Sequence, residues 1–325
     1  MMLRVCCEQF APPEALIREH VPIPEPEAGE VQVKISAAGV GFVDGLMIQG
    51  LYQVKPPLPY YPGSEFAGQI SAVGAHVSQW TVGDRVMGFT SNGAFADFLT
   101  TDARTLVALP DNLDDATAAG MYINYATALY GLRDCGRLQA GETLLVLGAA
   151  GGVGSAAIAV AKAMGAQVIA AASSAEKRTA ALSFGADHVI DYSQPDWREH
   201  LKVLTKAQGL NMIYDPVGGD ASETSFRSLS PGGRLLVVGF ASGTIAKLPL
   251  NLALLKRSSV VGVDWGGEVR ANPDINAELM TTLMEWIAAD KLQPAAVTRR
   301  PMDSFREALS DQLEGKIVGK LVLRN

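Results

Sequence analysis

The fold turns on "TLLVLGAAGGVGSAAIAVAKAMGA", Thr143 to Ala166. A short apolar run suited to a buried strand leads into Gly148, Gly151, Gly152 and Gly154, and the sequence then becomes alanine-rich. A glycine cluster can serve a simple turn or cradle phosphates, and its flanks decide which. A strand entering and a helix leaving, within a βαβ unit, is the context a dinucleotide fingerprint requires. Gly151 and Gly152 would let the backbone approach a pyrophosphate with no Cβ in the way, and Gly154 would let the helix sit close to the sheet. The free N–H groups at the helix start, aided by the helix dipole, would then face the anion.

Upstream, to about residue 120, the chain is β-rich. "VQVKISAAGV" (31–40) and "EFAGQISAVG" (65–74) alternate like half-buried strands, and "VGDRVMGF" (82–89) and "AFADFLT" (94–100) are short runs between turn residues. Prolines crowd Pro12–Pro26 and Pro56–Pro62, and both stretches read as loops because proline cannot donate to a sheet ladder. A compact antiparallel or barrel-like domain is expected.

From about Met121 helices and strands alternate. Helices are predicted over Ser155–Met164, Ala175–Phe184, near Ser222–Leu229 and about Ile275–Ala289. The strands between them are "QVIAAAS" (167–173), "HVIDY" (188–192), "NMIYDPVG" (211–218), "GRLLVVGF" (233–240) and "SSVVGVDW" (258–265). This rhythm marks βαβ units and a doubly wound parallel sheet buried on both faces. The chain is therefore expected to be α/β, with a β-rich domain over 1–122 and a dinucleotide-binding domain over 123–265. Residues 266–325 would form a last helix and a strand, "KIVGKLVL" (316–323), returning to the first domain.

An NAD site places an acidic residue about 20 positions beyond the first glycine, to take the ribose hydroxyls. Here the second strand ends "VIAAASSAEKR", with Ala and Ser where that acid would stand and with Lys177 and Arg178 just beyond. A carboxylate would repel a 2′-phosphate, whereas Ser173, Ser174 and Lys177 would accept one. The residues favour NADPH; the plain alternative is that Glu176, Lys177 and Arg178 form a solvated helix face.

The formal net charge of −7 and a pI near 5.2 leave no basic footprint for nucleic acid or an anionic membrane. The N-terminus "MMLRVCCEQF" has no signal-peptide pattern, and the longest apolar candidate, Ala156–Ala172, is broken by Lys162 and Gln167. A cytoplasmic protein is expected. Cys6, Cys7 and Cys135 make neither a disulfide framework nor a metal motif, and read as reduced thiols.

With these residues in view the sequence resembles the zinc-free quinone oxidoreductases related to ζ-crystallin, in the medium-chain dehydrogenase/reductase superfamily. "GETLLVLGAAGGVGSAAIAVAK" (141–162) carries the signature region, with Ala159 where the family usually has Gln. "GSEFAG" (63–68), "VGDRVMG" (82–88), "GADHVIDY" (185–192), "DPVGGD" (215–220) and "GKIVGKLVL" (315–323) extend the resemblance over essentially the whole chain. It implies a GroES-like catalytic domain beside a Rossmann domain, with cofactor and substrate in the cleft between them, and homodimers joined through edge strands. For cofactor contacts it implies Phe42, Asp44, Thr127, Ala150, Gly151, Gly152, Val153, Ser173, Ser174, Lys177, Tyr192, Val217, Gly239, Phe240, Ala241, Val263, Trp265 and Lys316.

Zinc-dependent relatives supply a Cys near "GVGFVD" and a His in a Gly-His-Glu triplet, and carry a four-Cys structural lobe. This chain reads Gly63-Ser64-Glu65, has no Cys between Cys7 and Cys135, and places His20, His76, His188 and His200 at no ligand spacing. Zinc wants Cys or His ligands, so no metal is expected. On the substrate side, Gly41 stands where the family usually has Asn and Leu46 where it often has Tyr, which suggests a roomier, more apolar pocket. Tyr52 matches a family tyrosine at the pocket mouth, and reads either as a catalytic hydroxyl or as a packing aromatic.

The expected activity is NADPH-dependent, zinc-independent hydride transfer to a quinone or another conjugated α,β-unsaturated carbonyl, a small molecule. Two rivals stand beside it. One is an enoyl thioester (enoyl-CoA) reductase, which would call for a basic cluster that the first domain does not show. The other is a non-catalytic NADPH-binding protein with a structural or RNA-binding role, which the acidic pI weakens.

Overall fold

The computed structural model describes residues 1–325, which divide into two compact units, Met1–Ile123 with Ala296–Asn325, and Asn124–Ala295. In the first unit β1 (Met2–Cys6) pairs antiparallel with β2 (Ile17–Val21). β2 lies inside the proline-rich stretch expected to be loop. Pro13 and Pro22 flank the strand rather than enter it, so no ladder donor is lost.

The larger sheet is organised around β3 (Glu30–Val40). α1 (Phe42–Ile48) follows it directly, and then come β4 (Glu65–Val73), β5 (Arg85–Phe89), β6 (Phe98–Asp102) and the short β7 (Val107–Ala108). β3 pairs antiparallel with β4 and with β6, while β4 pairs with β5 and β5 with β7. Val31, Val33 and Ile35 of β3 point into a core shared with Phe66, Ile70 and Val86, and Lys34 faces solvent. Gln32 is buried as well, and the β3–β4 register shifts between Gln32 and Val33 and again between Ile35 and Ala37.

α2 (Asp115–Leu129) begins in the first unit and ends in the second, where a one-turn π-helix, Tyr130–Cys135, continues it. The second unit then alternates: β8 (Thr143–Val146), α3 (Gly152–Ala163), β9 (Gln167–Ala171), α4 (Ala175–Ser183), β10 (His188–Ile190), α5 (Trp197–Leu204), β11 (Leu210–Asp215), α6 (Asp220–Phe226), β12 (Leu229–Val237), α7 (Leu250–Lys256), β13 (Ser259–Gly262), α8 (Trp265–Ala271) and α9 (Pro273–Ala288). The six strands form one parallel sheet in the order β10-β9-β8-β11-β12-β13. This is the doubly wound α/β plan.

The predicted helix near Ser222–Leu229 is shorter and earlier than expected, because Leu229 already pairs with Leu210 as the first residue of β12. The Pro231-Gly232-Gly233 run, with Gly232 at φ +81°, interrupts the register before Arg234 resumes it opposite Met212. α3 begins at Gly152, three residues ahead of the predicted start, which puts two of the glycines inside its first turn.

Past α9 the chain returns to the first unit through β14 (Val297–Pro301), α10 (Phe305–Leu313) and β15 (Lys320–Arg324). β14 and β15 are parallel, and β15 pairs antiparallel with β3, so the strand ending the chain completes the first unit's sheet. Residues 266–295 belong with the parallel sheet's unit, and 296–325 with the other. No helix is long and apolar enough to cross a membrane.

Candidate functional site

β8 ends where the glycine turn begins. Gly148 sits at φ +57°, and a Cβ there would meet Val217 at 2.8 Å, so conformation and space both require glycine. A Cβ on Gly154 would run into the Gly148 carbonyl. Gly151 differs: a Cβ would meet nothing nearer than the Gly148 oxygen at 3.4 Å. That leaves room in front of the turn. Gly151 caps α3 from an extended conformation, and no side chain caps the helix. The N–H groups of Gly152, Val153 and Gly154 therefore open a twelve-residue helix with no side-chain acceptor, as an anion-binding helix start requires. Ala150, beside them, is buried.

Next along the sheet, β9 leads into Ala172, Ser173 and Ser174. The Ser174 hydroxyl accepts the Lys177 N–H at 3.2 Å and so caps α4, while Ser173 is exposed. Lys177 lies in the first turn of α4. The Arg178 guanidinium reaches back from α4 to Asp191, just past β10, at 2.8 Å and to the Ala172 carbonyl at 3.2 Å. Tyr192 packs edge-on to Trp197, with ring centroids 6.5 Å apart. Burial pushes its phenol above the ordinary range, with the Asp215 and Asp191 carboxylates adding to the rise.

At the end of β11 the buried Asp215 organises the following turn. Its carboxylate accepts the N–H groups of Val217 and Gly218, each at 2.9 Å, and the Ser222 hydroxyl donates to its other oxygen. Ala241 donates to the Pro216 carbonyl at 3.0 Å, which ties the Gly239–Phe240–Ala241 segment to the same turn. The Val263 N–H donates to Val237 at 2.9 Å, and Val263 and Trp265 are both buried. Thr127, on α2, is half-buried. The strand-end residues in this set lie past the carboxyl ends of parallel strands, where doubly wound sheets receive their ligands.

Phe42, Asp44, Tyr52 and Lys316 belong to the first unit. Phe42 opens α1, Tyr52 sits half-buried in the loop after it, and Lys316 is exposed with its ammonium 2.6 Å from Glu314. Asp44 is buried; its carboxylate accepts the Gly41 N–H at 2.7 Å and the Ser64 hydroxyl at 3.2 Å. Next to it, the buried Glu65 accepts the Ile123 N–H at 3.0 Å and pairs with the Lys320 ammonium at 2.5 Å. Burial pushes the Asp44 carboxyl up to about 6, with the Gly41 hydrogen bond and the Lys320 charge opposing the rise and Glu65 adding to it. Ser64 and Glu65 stand in the triplet whose His binds metal in zinc-dependent relatives. Here the acid is held by an ammonium, and no group of three or more His, Cys, Asp or Glu side chains is placed to hold a metal.

Sequence reading did not single out Asp215, Glu65 or Lys320. The aspartate was visible in "DPVGGD", but its role as acceptor for three donors depends on the turn. The Glu65–Lys320 pair joins the two ends of the first unit and leaves no local signal.

A parallel sheet with an uncapped, glycine-lined helix start, on a chain whose other unit is a largely antiparallel β-fold, is the plan of two-domain dinucleotide-dependent oxidoreductases. Residues 152–288 match the zinc-binding dehydrogenase family, and residues 27–111 the alcohol dehydrogenase GroES-like domain. Quinone oxidoreductase-like protein 2 of Rattus norvegicus is 38% identical over 295 residues, covering 90% of this chain and 84% of that one. The Escherichia coli quinone oxidoreductase solved with NADPH superposes with a TM-score of 0.90 at 29% identity, covering 99% of this chain and 100% of the other. The CurK enoyl reductase does so with a TM-score of 0.89 at 28% identity, covering 99% of each. The chain belongs to the quinone oxidoreductase family of the medium-chain dehydrogenase/reductase superfamily.

Proposed function

We propose that this protein is an NADPH-dependent, zinc-independent reductase that delivers a hydride to quinones or other α,β-unsaturated carbonyl acceptors. The observation that carries the reading is the helix start at Gly151–Gly154, uncapped and open in front, next to a β9 end that offers Ser173, Ser174 and Lys177 in place of a carboxylate. The E. coli relative binds NADPH on the same fold, which supports the cofactor assignment.

On this reading Ala150, Gly151, Gly152 and Val153 hold the pyrophosphate, and Ser173, Ser174 and Lys177 take the 2′-phosphate. Val217, Gly239, Phe240, Ala241, Val263 and Trp265, with Thr127 and Tyr192, line the remainder. The Asp215 carboxylate keeps the Val217–Gly218 backbone in one conformation, so that part of the wall is set before the ligand arrives. The bound nicotinamide supplies the hydride, and the protein supplies orientation and electrostatics.

In the first unit Phe42, Asp44 and Lys316 are the residues we assign to the cofactor. Tyr52 is the side chain we assign to the acceptor, its hydroxyl donating to the oxygen that becomes negative. An acceptor with no metal to polarise it has to be activated by its own conjugation, which favours quinones and enones over simple ketones. Enoyl thioesters share that chemistry, and the likeness to CurK makes them the second reading.

We further infer a homodimer and a reducing, cytoplasmic setting. β13 is the outer strand of its sheet, and Leu250, Leu254 and Leu255 on the neighbouring α7 are 84%, 77% and 74% exposed. An open edge beside an apolar helix face suits pairing with a second copy. All three cysteines are free. The test is consumption of NADPH by the purified protein against a panel of quinones, enones and enoyl-CoA esters.

A further inference from the structure

β9 and β10 are neighbours in the sheet, and the N–H of Ala172, just past β9, donates to the carbonyl of Ile190, the last residue of β10, at 3.1 Å. The two strand ends carry Ser173 and Ser174 on one side and Asp191 and Tyr192 on the other. Arg178 bridges them. It holds the Asp191 carboxylate at 2.8 Å and the Ala172 carbonyl at 3.2 Å, and the two paired side chains are only 23% and 22% exposed. The second oxygen of Asp191 is taken by the Ser193 N–H at 3.0 Å and its hydroxyl at 2.5 Å. Without Arg178 this acid would be an uncompensated negative charge one residue from Tyr192.

That placement matters if a phosphate is to bind here. A dianion beside a bare carboxylate is repelled, and like-charge juxtaposition is a standard means of rejecting a ligand. Resting on the NADPH reading above, we propose that Arg178 is a specificity-determining residue: its guanidinium cancels the Asp191 carboxylate and fixes the two strand ends, so that the site accepts a 2′-phosphate. Lys177 then faces the phosphate as a direct partner, while Arg178 acts through Asp191 as a positioning residue. The Ser193 hydrogen bonds and the Arg178 charge keep the Asp191 carboxyl below its ordinary range, so the acid is ionised and the cancellation is needed.

The test is a titration of NADPH and of NADH, followed by protein fluorescence at fixed low salt, with a thermal melt of every variant. The wild type should bind NADPH more tightly than NADH. Arg178→Ala should weaken NADPH by roughly tenfold or more, about 1.4 kcal/mol per decade, and shift NADH by less than about threefold. Adding Asp191→Asn to Arg178→Ala should recover most of the NADPH affinity, because a neutral amide no longer repels. Asp191→Asn alone should leave NADPH binding equal or tighter, which keeps the proposal testable if Arg178→Ala does not fold. Equal weakening of both cofactors by Arg178→Ala would make the arginine a structural brace and overturn the proposal. Loss of NADPH affinity in Asp191→Asn would overturn it as well. A wild type that prefers NADH would overturn the cofactor reading itself, whereas a wild type that prefers NADPH with an Arg178→Ala variant whose NADPH-over-NADH preference is undiminished would sink only the role of Arg178.

Discussion

Asp44 shows what a single buried carboxyl costs this fold. Burial raises its pKa to about 6, so the folded chain binds that proton more tightly than the unfolded chain, whose carboxyl titrates near 4. The folded state thus carries the extra proton between about pH 4 and pH 6, and stability falls as pH rises through that window. Above it the ionised group is a standing penalty of about 2–3 kcal/mol. An asparagine can still accept the Gly41 N–H and does not ionise. Asp44→Asn should therefore gain about 2–3 kcal/mol relative to wild type between about pH 4 and pH 7, as read from urea unfolding at each pH. A difference that does not move with pH would show that Asp44 is not held protonated by its surroundings. Little of this was legible in the sequence. Asp44 could be picked out by resemblance, but its neighbours come from two distant places in the chain, Ser64 with Glu65 and Lys320. Arg178 was visible as a cation, yet its bond to Asp191 follows only from β9 lying beside β10.

The glycine turn and α3 form the element on which the cofactor reading depends, and two of its glycines should behave oppositely. At Gly154 a methyl group meets the Gly148 carbonyl, and backbone on both sides cannot yield cheaply. Gly154→Ala should cost about 1–3 kcal/mol of stability through overpacking. At Gly151 the added methyl has room and the backbone is already extended, so Gly151→Ala should change stability by less than about 1 kcal/mol. If the proposed site is right, the same methyl would project toward the pyrophosphate, and NADPH affinity should fall about tenfold or more. Melting curves and cofactor titrations of the two variants separate these outcomes; a Gly151→Ala variant with full NADPH affinity would remove the helix start from the site. The element itself was well announced by its strand, its glycines and its alanine-rich helix. The start of α3 was placed late because glycine is a poor helix former and hides a first turn that packing imposes. β2 was missed for a related reason, since the flanking prolines outweighed a five-residue strand with only one partner. α10 was harder to see because it is only nine residues long and largely polar, although Phe305, Ala308 and Leu309 fall at i, i+3 and i+4 on its buried face.

At the scale of the molecule, the alternation of strands and helices was enough to recognise the parallel sheet, because buried parallel strands are continuous apolar runs. The return of β15 to β3 could be anticipated from the final apolar run, but the switch between units after Ala295 could not, since α9 is an ordinary amphipathic helix with no break in composition behind it. The open β13 edge and the leucines of α7 make the homodimer testable. Light scattering should report a dimer for the wild type and a monomer for Leu254→Asp, with the melting of the Rossmann sheet otherwise preserved; a monomeric wild type at micromolar concentration would refute the pairing. The proposed reaction passes a hydride from NADPH to a conjugated acceptor without a metal. The most direct measurement is the initial rate of NADPH oxidation by the extensively chelated protein, with ortho- and para-quinones, alkenals, enones and enoyl-CoA esters supplied in turn. Turnover with quinones or enones is expected, undiminished by chelation and slower with NADH. Activity confined to enoyl-CoA esters, or activity lost on chelation and restored by zinc, would contradict it.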